Sequence, residues 1–422
     1  MSKTATCALM ISLTAVLAAG TTHAATAQEF PEYGVKVDTV AENLEIPWAM
    51  AIPPDGRIFV TERTGQVRVI ENGTLKSEPM LSLRVGGAEG GLLGMALHPE
   101  FEENHSVYLY YTYSEFLSTY NRISKFTESD NRLTDETVLV DKIPGAAVHD
   151  GGRLRFGPDG KLYATTGDAA NARLAQDLSS LAGKILRINP DGTIPEDNPF
   201  AGSSVYSYGH RNPQGLDWDP KTGALVSAEH GPSGERGFAH DEINIVKMGH
   251  NYGWPEIIGD ESDPKFESPL FHTGNVAWAP SGASFYDNDK IQSLKGKLLV
   301  ATLRGVHLHV FEIDAANGKV LSEQPMFTGT FGRIRDVSVD TDGNIYLLTS
   351  NRDGRGSPAH NDDRILRITP ISLPSDGASG NERSKTCPSG FVDIIKASNG
   401  NTACVTAETK IKLIERGWAK AD

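Results

Sequence analysis

A short phrase recurs along this chain: a turn rich in Asp, Asn or Gly delivers the backbone into a brief run of β-branched and aromatic residues. Pro54-Asp55-Gly56 precedes Ile58-Phe59-Val60, Pro158-Asp159-Gly160 precedes Leu162-Tyr163-Ala164, and Thr341-Asp342-Gly343 precedes Ile345-Tyr346-Leu347. Looser versions are Glu102-Glu103-Asn104 before Val107-Tyr108-Leu109, Lys221-Thr222-Gly223 before Leu225-Val226, and Leu294-Lys295-Gly296 before Leu298-Leu299-Val300. Each reads as a tight turn feeding a strand. The turns fall about 50 to 70 residues apart, the length of a four-stranded antiparallel blade, so the pattern predicts an all-β, six-bladed β-propeller. A pair of open β-sandwiches is the alternative, and it explains the spacing less well. The 43 glycines in 422 residues and the lack of long amphipathic stretches favour turns and strands over helices.

The ends of the chain read differently. Residues 1–27 carry Lys3 as their single charge, an apolar run over 8–19 and a small-residue finish, Ala25-Thr26-Ala27, which together predict a cleaved secretory signal. The apolar run is too short to span a bilayer, and no later stretch reaches the roughly 18 apolar residues a membrane helix needs. A periplasmic or extracellular location follows as the expectation. The propeller is expected over residues 28–369, a Ser/Gly/Asn-rich linker over 370–386, and a small module over 387–422. In that module Cys387 and Cys404 are expected to form a disulfide around a hairpin turning at Asn399-Gly400. Thr406 is expected to cap a helix with Ile411, Ile414 and Trp418 on one face. The formal net charge of −14, or −15 without Lys3, repels phosphate backbones, so nucleic acid is not an expected partner.

Phosphate-binding glycine loops, the Gly-x-Ser-x-Gly elbow and the His-Glu-x-x-His zinc motif do not occur in the sequence. Asp340-Thr341-Asp342-Gly343 lacks the further acidic ligands of a calcium loop and reads as a blade turn. The polar runs that remain lie where strands meet loops. Glu89 opens the glycine-rich run at 89–94. His149 precedes one expected strand and Asp168 follows the next, so a hairpin would bring them to the same mouth of the propeller as a histidine base with its orienting carboxylate. A histidine satisfied by a local carbonyl fits that fragment equally well. Arg211 and Asn212 sit in a dense polar run, and Gly231 and Pro232 follow Glu229-His230, where backbone carbonyls could face a cation. Arg304 follows a strand, and Arg333 and Arg335 share one side of another. Arginines converging in an acidic protein point to an anionic ligand. Taken singly, each arginine reads more readily as the partner of a surface acid.

Eight motifs in this order resemble the soluble quinoprotein glucose/sorbosone dehydrogenases, and most closely the aldose sugar dehydrogenases that use pyrroloquinoline quinone. They are EGGLLGMALHP (89–99), HDGGRLRFGPDG (149–160), GD (167–168), GHRNPQG (209–215), EHGP (229–232), DEIN (241–244), GHNYGWP (249–255) and RIRD (333–336). The resemblance runs from about residue 35 to 368 and implies a six-bladed propeller. It implies that Arg304, Arg333 and Arg335 hold the carboxylates and carbonyls of the quinone cofactor and that Arg211 and Asn212 contact its reactive end. It further implies that His149 takes the proton of the anomeric hydroxyl, with Asp168 orienting the ring, and that Glu89 binds the sugar. Calcium at the quinone would be ligated by the carbonyls of Gly231 and Pro232, and a second, structural calcium by Glu242 and Tyr252 with Asp241 nearby.

The expected function is therefore oxidation of an aldose to its lactone, with electrons passed to an external acceptor, by a monomer or homodimer. A calcium-dependent propeller lactonase would not need the arginine set. A non-catalytic propeller that binds carbohydrate or protein would not need an oriented base. One departure from the family pattern is the stretch 233–240 between GP and DE, which relatives cross in a few residues.

Overall fold

Six antiparallel blade sheets, four of them four-stranded and two carrying a fifth strand, follow one another along the chain in this computed structural model, which describes residues 27–234, 237–371, 391–396, 402–416 and 419–420. Their innermost strands are Pro47–Ala51, Leu92–Leu97, Leu154–Phe156, Pro213–Trp218, Pro280–Tyr286 and Ile334–Val339, which we number as blades 1 to 6. Each innermost strand packs beside the next, and that of blade 6 packs beside that of blade 1, so the ring closes. A β-propeller of six blades results, as the turn spacing predicts, and each of the six turns separates the first and second strands of a different blade.

The second strands show why such sequences fold this way. Ile58–Glu62, Leu162–Thr166, Leu225–Glu229 and Ile345–Thr349 are buried at every position, because a blade's two faces both pack against neighbours. Outermost strands such as Lys319–Met326 are mostly exposed. Blade 6 takes its outer strand from the start of the chain: Val35–Ala41 pairs with Ile365–Pro370, Val37 opposite Ile368, and Gln28–Phe30 adds one more strand outside it. Phe30 is pinned edge-on against Phe327 and Phe331, with ring centroids 4.8 and 5.9 Å away.

Innermost strands all start at one mouth of the ring, and second strands all end there. Glu89, His149, Arg211 and Arg333 stand just before innermost strands, and Asp168 just after a second strand, so all five collect at that mouth. The stretch 233–240 contributes a two-stranded hairpin, Ser233–Gly234 with Gly237–Phe238.

Residues Ser372–Asp422 form a separate compact unit. Val392–Lys396, Thr402–Val405 and Ala419–Lys420 make a three-stranded sheet, and the helix Ala407–Glu415 is capped as expected, Thr406 Oγ1 accepting from the Thr409 amide at 3.2 Å. Ile411 and Ile414 lie one turn apart on this helix, and Ile411 is 59% exposed. The expected signal segment before residue 27, the linker beyond 371, the Asn399-Gly400 turn, Trp418, and Cys387 with its expected disulfide lie outside the described residues. No helix among the described residues is long and apolar enough to cross a membrane.

Candidate active site

His149 lies in the loop between the outer strand of blade 2 and the innermost strand of blade 3, with φ of +63°. Few non-glycine residues hold that left-handed conformation, and it is typically sustained where surrounding structure fixes a functional side chain. The fixing groups are visible. The His149 amide donates to Glu89 Oε2 at 3.2 Å, and a Cβ on Gly167 would lie 2.0 Å from the His149 carbonyl oxygen, so only glycine lets the two loops approach.

That approach sets Asp168 beside the ring, with Nδ1 of His149 2.8 Å from Asp168 Oδ1. On the other side Arg211 Nη2 lies 2.9 Å from His149 Nε2. A guanidinium can only donate, so Nε2 accepts, and the proton resides on Nδ1, donated to Asp168. His149 is thus a neutral imidazole whose basic nitrogen faces the mouth. Asp168, only 2% exposed, is itself held by the Ala170 amide on Oδ1 and by Trp254 Nε1 on Oδ2, each at 2.9 Å.

Arg211 and Asn212 owe their placement to Glu229. Its Oε1 accepts the amides of both, and Oε2 sits 2.9 Å from His210 Nδ1, whose ring stacks on Tyr252 at 4.6 Å. The Glu-His-Gly-Pro motif therefore works partly through a carboxylate that fastens the neighbouring loop, a role the sequence reading does not assign. Asn212 Oδ1 accepts from Gly151 N at 3.0 Å, while its Nδ2 is buried without a partner.

Next to this group lies a cavity of about 230 Å³, lined among others by Glu89, His230, Arg63, Arg335 and Arg355. Arg335 is 5% exposed; its Nη1 donates to Gln214 Oε1 at 2.8 Å, and its Nε has no partner. Burial, with Asp353 opposing, pushes its pKa from 12.5 down to about 9. His230 is pushed down to about 4, again chiefly by burial, and its Nε2 is likewise buried and unpartnered. A buried guanidinium N–H and a buried imidazole nitrogen left unsatisfied, with two further arginines beside them, are a lining suited to an anionic, oxygen-rich ligand.

Not every expected arginine faces this cavity. Arg333 is locked by Nε and Nη2 onto Asp353 Oδ2 at 3.0 and 2.7 Å and spends Nη1 on the Leu303 carbonyl. Arg304 stands outside, over the Phe238 ring of the 233–240 hairpin at 5.2 Å, and lines a neighbouring cavity of about 460 Å³ together with Arg333 and Arg355. Sequence reasoning misses two cavity arginines: Arg63, and Arg355, whose Nη2 pairs with Glu89 Oε1 at 2.6 Å. Arg63 has a signal, because it follows a second strand just as Asp168 and His230 do.

Among the expected metal ligands, Gly231 donates its amide to Asp241 Oδ1 at 2.8 Å, and Asp241 Oδ2 accepts from the amides of Trp278 and Ala279 at 2.6 and 2.9 Å. Asp241 thus shapes the loop carrying the Gly231 and Pro232 carbonyls. Glu242 is the better candidate for a cation: burial, then Glu229, then Asp241, push its carboxyl up to about 8, with the amide of Asn244 at 3.0 Å acting against them. Tyr252 spends its hydroxyl on Ile245 O and Lys247 N, both at 2.7 Å, leaving its backbone as the possible ligand. No three His, Cys, Asp or Glu side chains form a metal cage among the described residues.

A six-bladed propeller with an oriented neutral histidine beside a cationic cavity at its axis defines a class, the propellers that do chemistry at one mouth of the ring. Likeness to known proteins narrows it. The glucose/sorbosone dehydrogenase profile matches residues 44–366, and the chain belongs to that family of oxidoreductases. Aldose sugar dehydrogenase YliI of Escherichia coli is 32% identical, the match covering 80% of this chain and 93% of that protein. The PQQ-bound aldose sugar dehydrogenase of Streptomyces coelicolor superposes with a TM-score of 0.72 at 35% identity, over 79% of this chain and 98% of that one. An oxidoreductase of Thermus thermophilus described as a glucose dehydrogenase gives 0.74 at 43% identity, over 79% and 99%.

Proposed function

We propose that this chain is an exported pyrroloquinoline-quinone-dependent aldose dehydrogenase, acting in the periplasm or outside the cell, that oxidises the anomeric carbon of a sugar to the lactone and passes electrons to an external acceptor. The observation that carries the reading is the His149 imidazole, with its proton on Nδ1 and its lone pair on Nε2, set beside a cavity of unsatisfied buried donors. The lining suits a planar tricarboxylate: Arg335 offers a free N–H and His230 an unpartnered ring nitrogen, Asn212 offers a further free N–H beside His149, and the charges of Arg63, Arg335 and Arg355 outnumber those of Glu89 and Asp353. Arg333 serves by holding Asp353 and the cavity wall, and Arg304 by reaching from the rim. When bound, the quinone would supply the hydride acceptor, and a calcium ion held by the Gly231 and Pro232 carbonyls would supply the positive charge that polarises it.

The residues of the chain do the rest. His149 Nε2 accepts the proton of the anomeric hydroxyl, and Asp168 stabilises the imidazolium that forms. Arg211 caps Nε2 here, so its guanidinium must first exchange that bond for an oxygen of the cofactor or sugar. Glu89, divided between Arg355 and the His149 amide, would accept a sugar hydroxyl. Glu242, with Tyr252 and Asp241, would hold a second calcium that relieves a carboxylate buried among carboxylates.

Dye-linked oxidation of an aldose panel by the mature protein, with and without the quinone and calcium, tests this reading. Turnover that needs the cofactor and disappears in His149→Ala is the expected result; cofactor-independent turnover, or turnover surviving in His149→Ala, refutes it.

A further inference from the structure

Trp254 touches both groups that grip His149. Its Nε1–H donates to Asp168 Oδ2 at 2.9 Å, while Asp168 Oδ1 takes the Nδ1 proton of His149. Over the face of the same indole lies the Arg211 guanidinium, 5.5 Å from the ring centroid, and Arg211 Nη2 caps His149 Nε2. One side chain therefore braces the imidazole from its two nitrogens at once.

The tryptophan is itself held through its backbone. Its amide donates to the Gly209 carbonyl at 2.9 Å, and its carbonyl accepts from Gln176 Nε2 at 2.7 Å. Gln176 in turn exchanges two hydrogen bonds with Asn251, at 3.0 and 2.8 Å. A tryptophan serving only to fill space needs no donor aimed at a carboxylate that is 2% exposed.

We propose that Trp254 is a positioning residue for the proton-transfer step. By occupying Oδ2 it stops the carboxylate from rotating, keeps Oδ1 aimed at Nδ1, and so keeps the proton on Nδ1 and the lone pair on Nε2. It does this without touching the reacting atoms. The inference rests on the reading of His149 as the base.

Trp254→Phe keeps the ring under Arg211 and removes the N–H. In the holoenzyme, kcat falls on the order of tenfold or more, the scale of one hydrogen bond to a charged group, while KM for the sugar and cofactor affinity stay within about twofold. In the cofactor-free protein, the ¹⁵N spectrum of His149 changes from the Nδ1–H tautomer to a mixture. Gln176→Ala, which loosens the tryptophan and leaves its N–H, gives a smaller loss of the same kind and serves if Trp254→Phe fails to fold. Wild-type kcat in both variants, or a lost kcat accompanied by equal changes in KM and an unchanged tautomer, overturns the inference. His149→Ala separates the two readings: if it abolishes turnover while the Trp254 and Gln176 variants keep it, the positioning role alone fails; if it retains turnover, the base itself is misassigned.

Discussion

Replacing Arg335 with methionine should make the cofactor-free protein more stable and a poorer binder. The guanidinium is buried, shares its space with Arg153, Arg63 and Arg333, and leaves Nε unpaired. Its pKa of about 9, against 12.5 in water, corresponds to about 5 kcal/mol of unfavourable burial at 1.36 kcal/mol per decade, an upper bound. Methionine forfeits the bonds to Gln214 Oε1 and Ser281 Oγ, at 2.8 and 3.3 Å; coming from a charged donor, the first is worth about 1.5 kcal/mol and the longer second about 1 kcal/mol. A net gain of about 2–3 kcal/mol remains, in keeping with buried ions replaced by apolar groups elsewhere. For a propeller of this length that raises Tm by about 3–4 °C. Affinity for the anionic cofactor moves the other way, by roughly 10- to 150-fold, the worth of one charge-assisted bond. Thermal unfolding of the cofactor-free protein and a fluorescence titration with pyrroloquinoline quinone read the two numbers. A variant that is less stable without cofactor, or that binds it unchanged, refutes the reasoning.

Asp168→Asn should lower kcat roughly 30- to 1,000-fold with KM nearly constant, because the imidazolium loses a charged partner worth about 2–4 kcal/mol and the new amide must turn a donor towards either His149 or Trp254; steady-state kinetics check it. His230, pushed down to about 4, is neutral in the fold where the unfolded chain is already protonated, so the folded state binds fewer protons between about 4 and 6.5. Stability therefore falls as pH drops through that window, by up to about 3 kcal/mol for this group, and urea unfolding of His230→Gln should show a flatter acid slope. Lys184 donates to the carbonyls of Leu174, Ala175 and Ala182 at 2.7, 3.0 and 2.7 Å, tying down the loop that carries Gln176. Lys184→Met removes these three bonds, leaving the Leu174 and Ala175 carbonyls with the amides of Asp177 and Gly209, and it relieves an ammonium whose pKa burial pushes down to about 7; the two effects largely offset, so global stability should change by less than about 2 kcal/mol while amide exchange quickens in that loop.

How much of this is legible in the sequence depends on whether the signal is local. A turn such as Pro158-Asp159-Gly160 announces the strand that follows it, and six such announcements suffice to count blades. His149 and Asp168 sit 19 residues apart on one hairpin, so their meeting also follows from local structure. Trp254 reaches Asp168 from 86 residues away, and Arg355 reaches Glu89 from beyond the last innermost strand; neither contact exists until separate blades have packed together. Strand alternation makes Arg333 and Arg335 look equivalent, yet a register shift between Ile334 and Asp336 gives one to Asp353 and the other to Gln214. The outer strand of blade 6 is equally invisible, because Val35–Ala41 looks like any strand and its partner arrives at the end of the propeller.

That late pairing gives binding a place in time. Trp48 and Glu89 come from the first two blades, Arg335 and Arg355 from the last, and together they wall one cavity. The cavity cannot exist while the first strand waits for the sixth sheet, however well formed the blades between them are. During refolding, then, recovery of anion binding should lag behind recovery of β-structure and coincide with the burial of Phe30 against Phe327 and Phe331, which makes the ligand a clock for the closing of the circle.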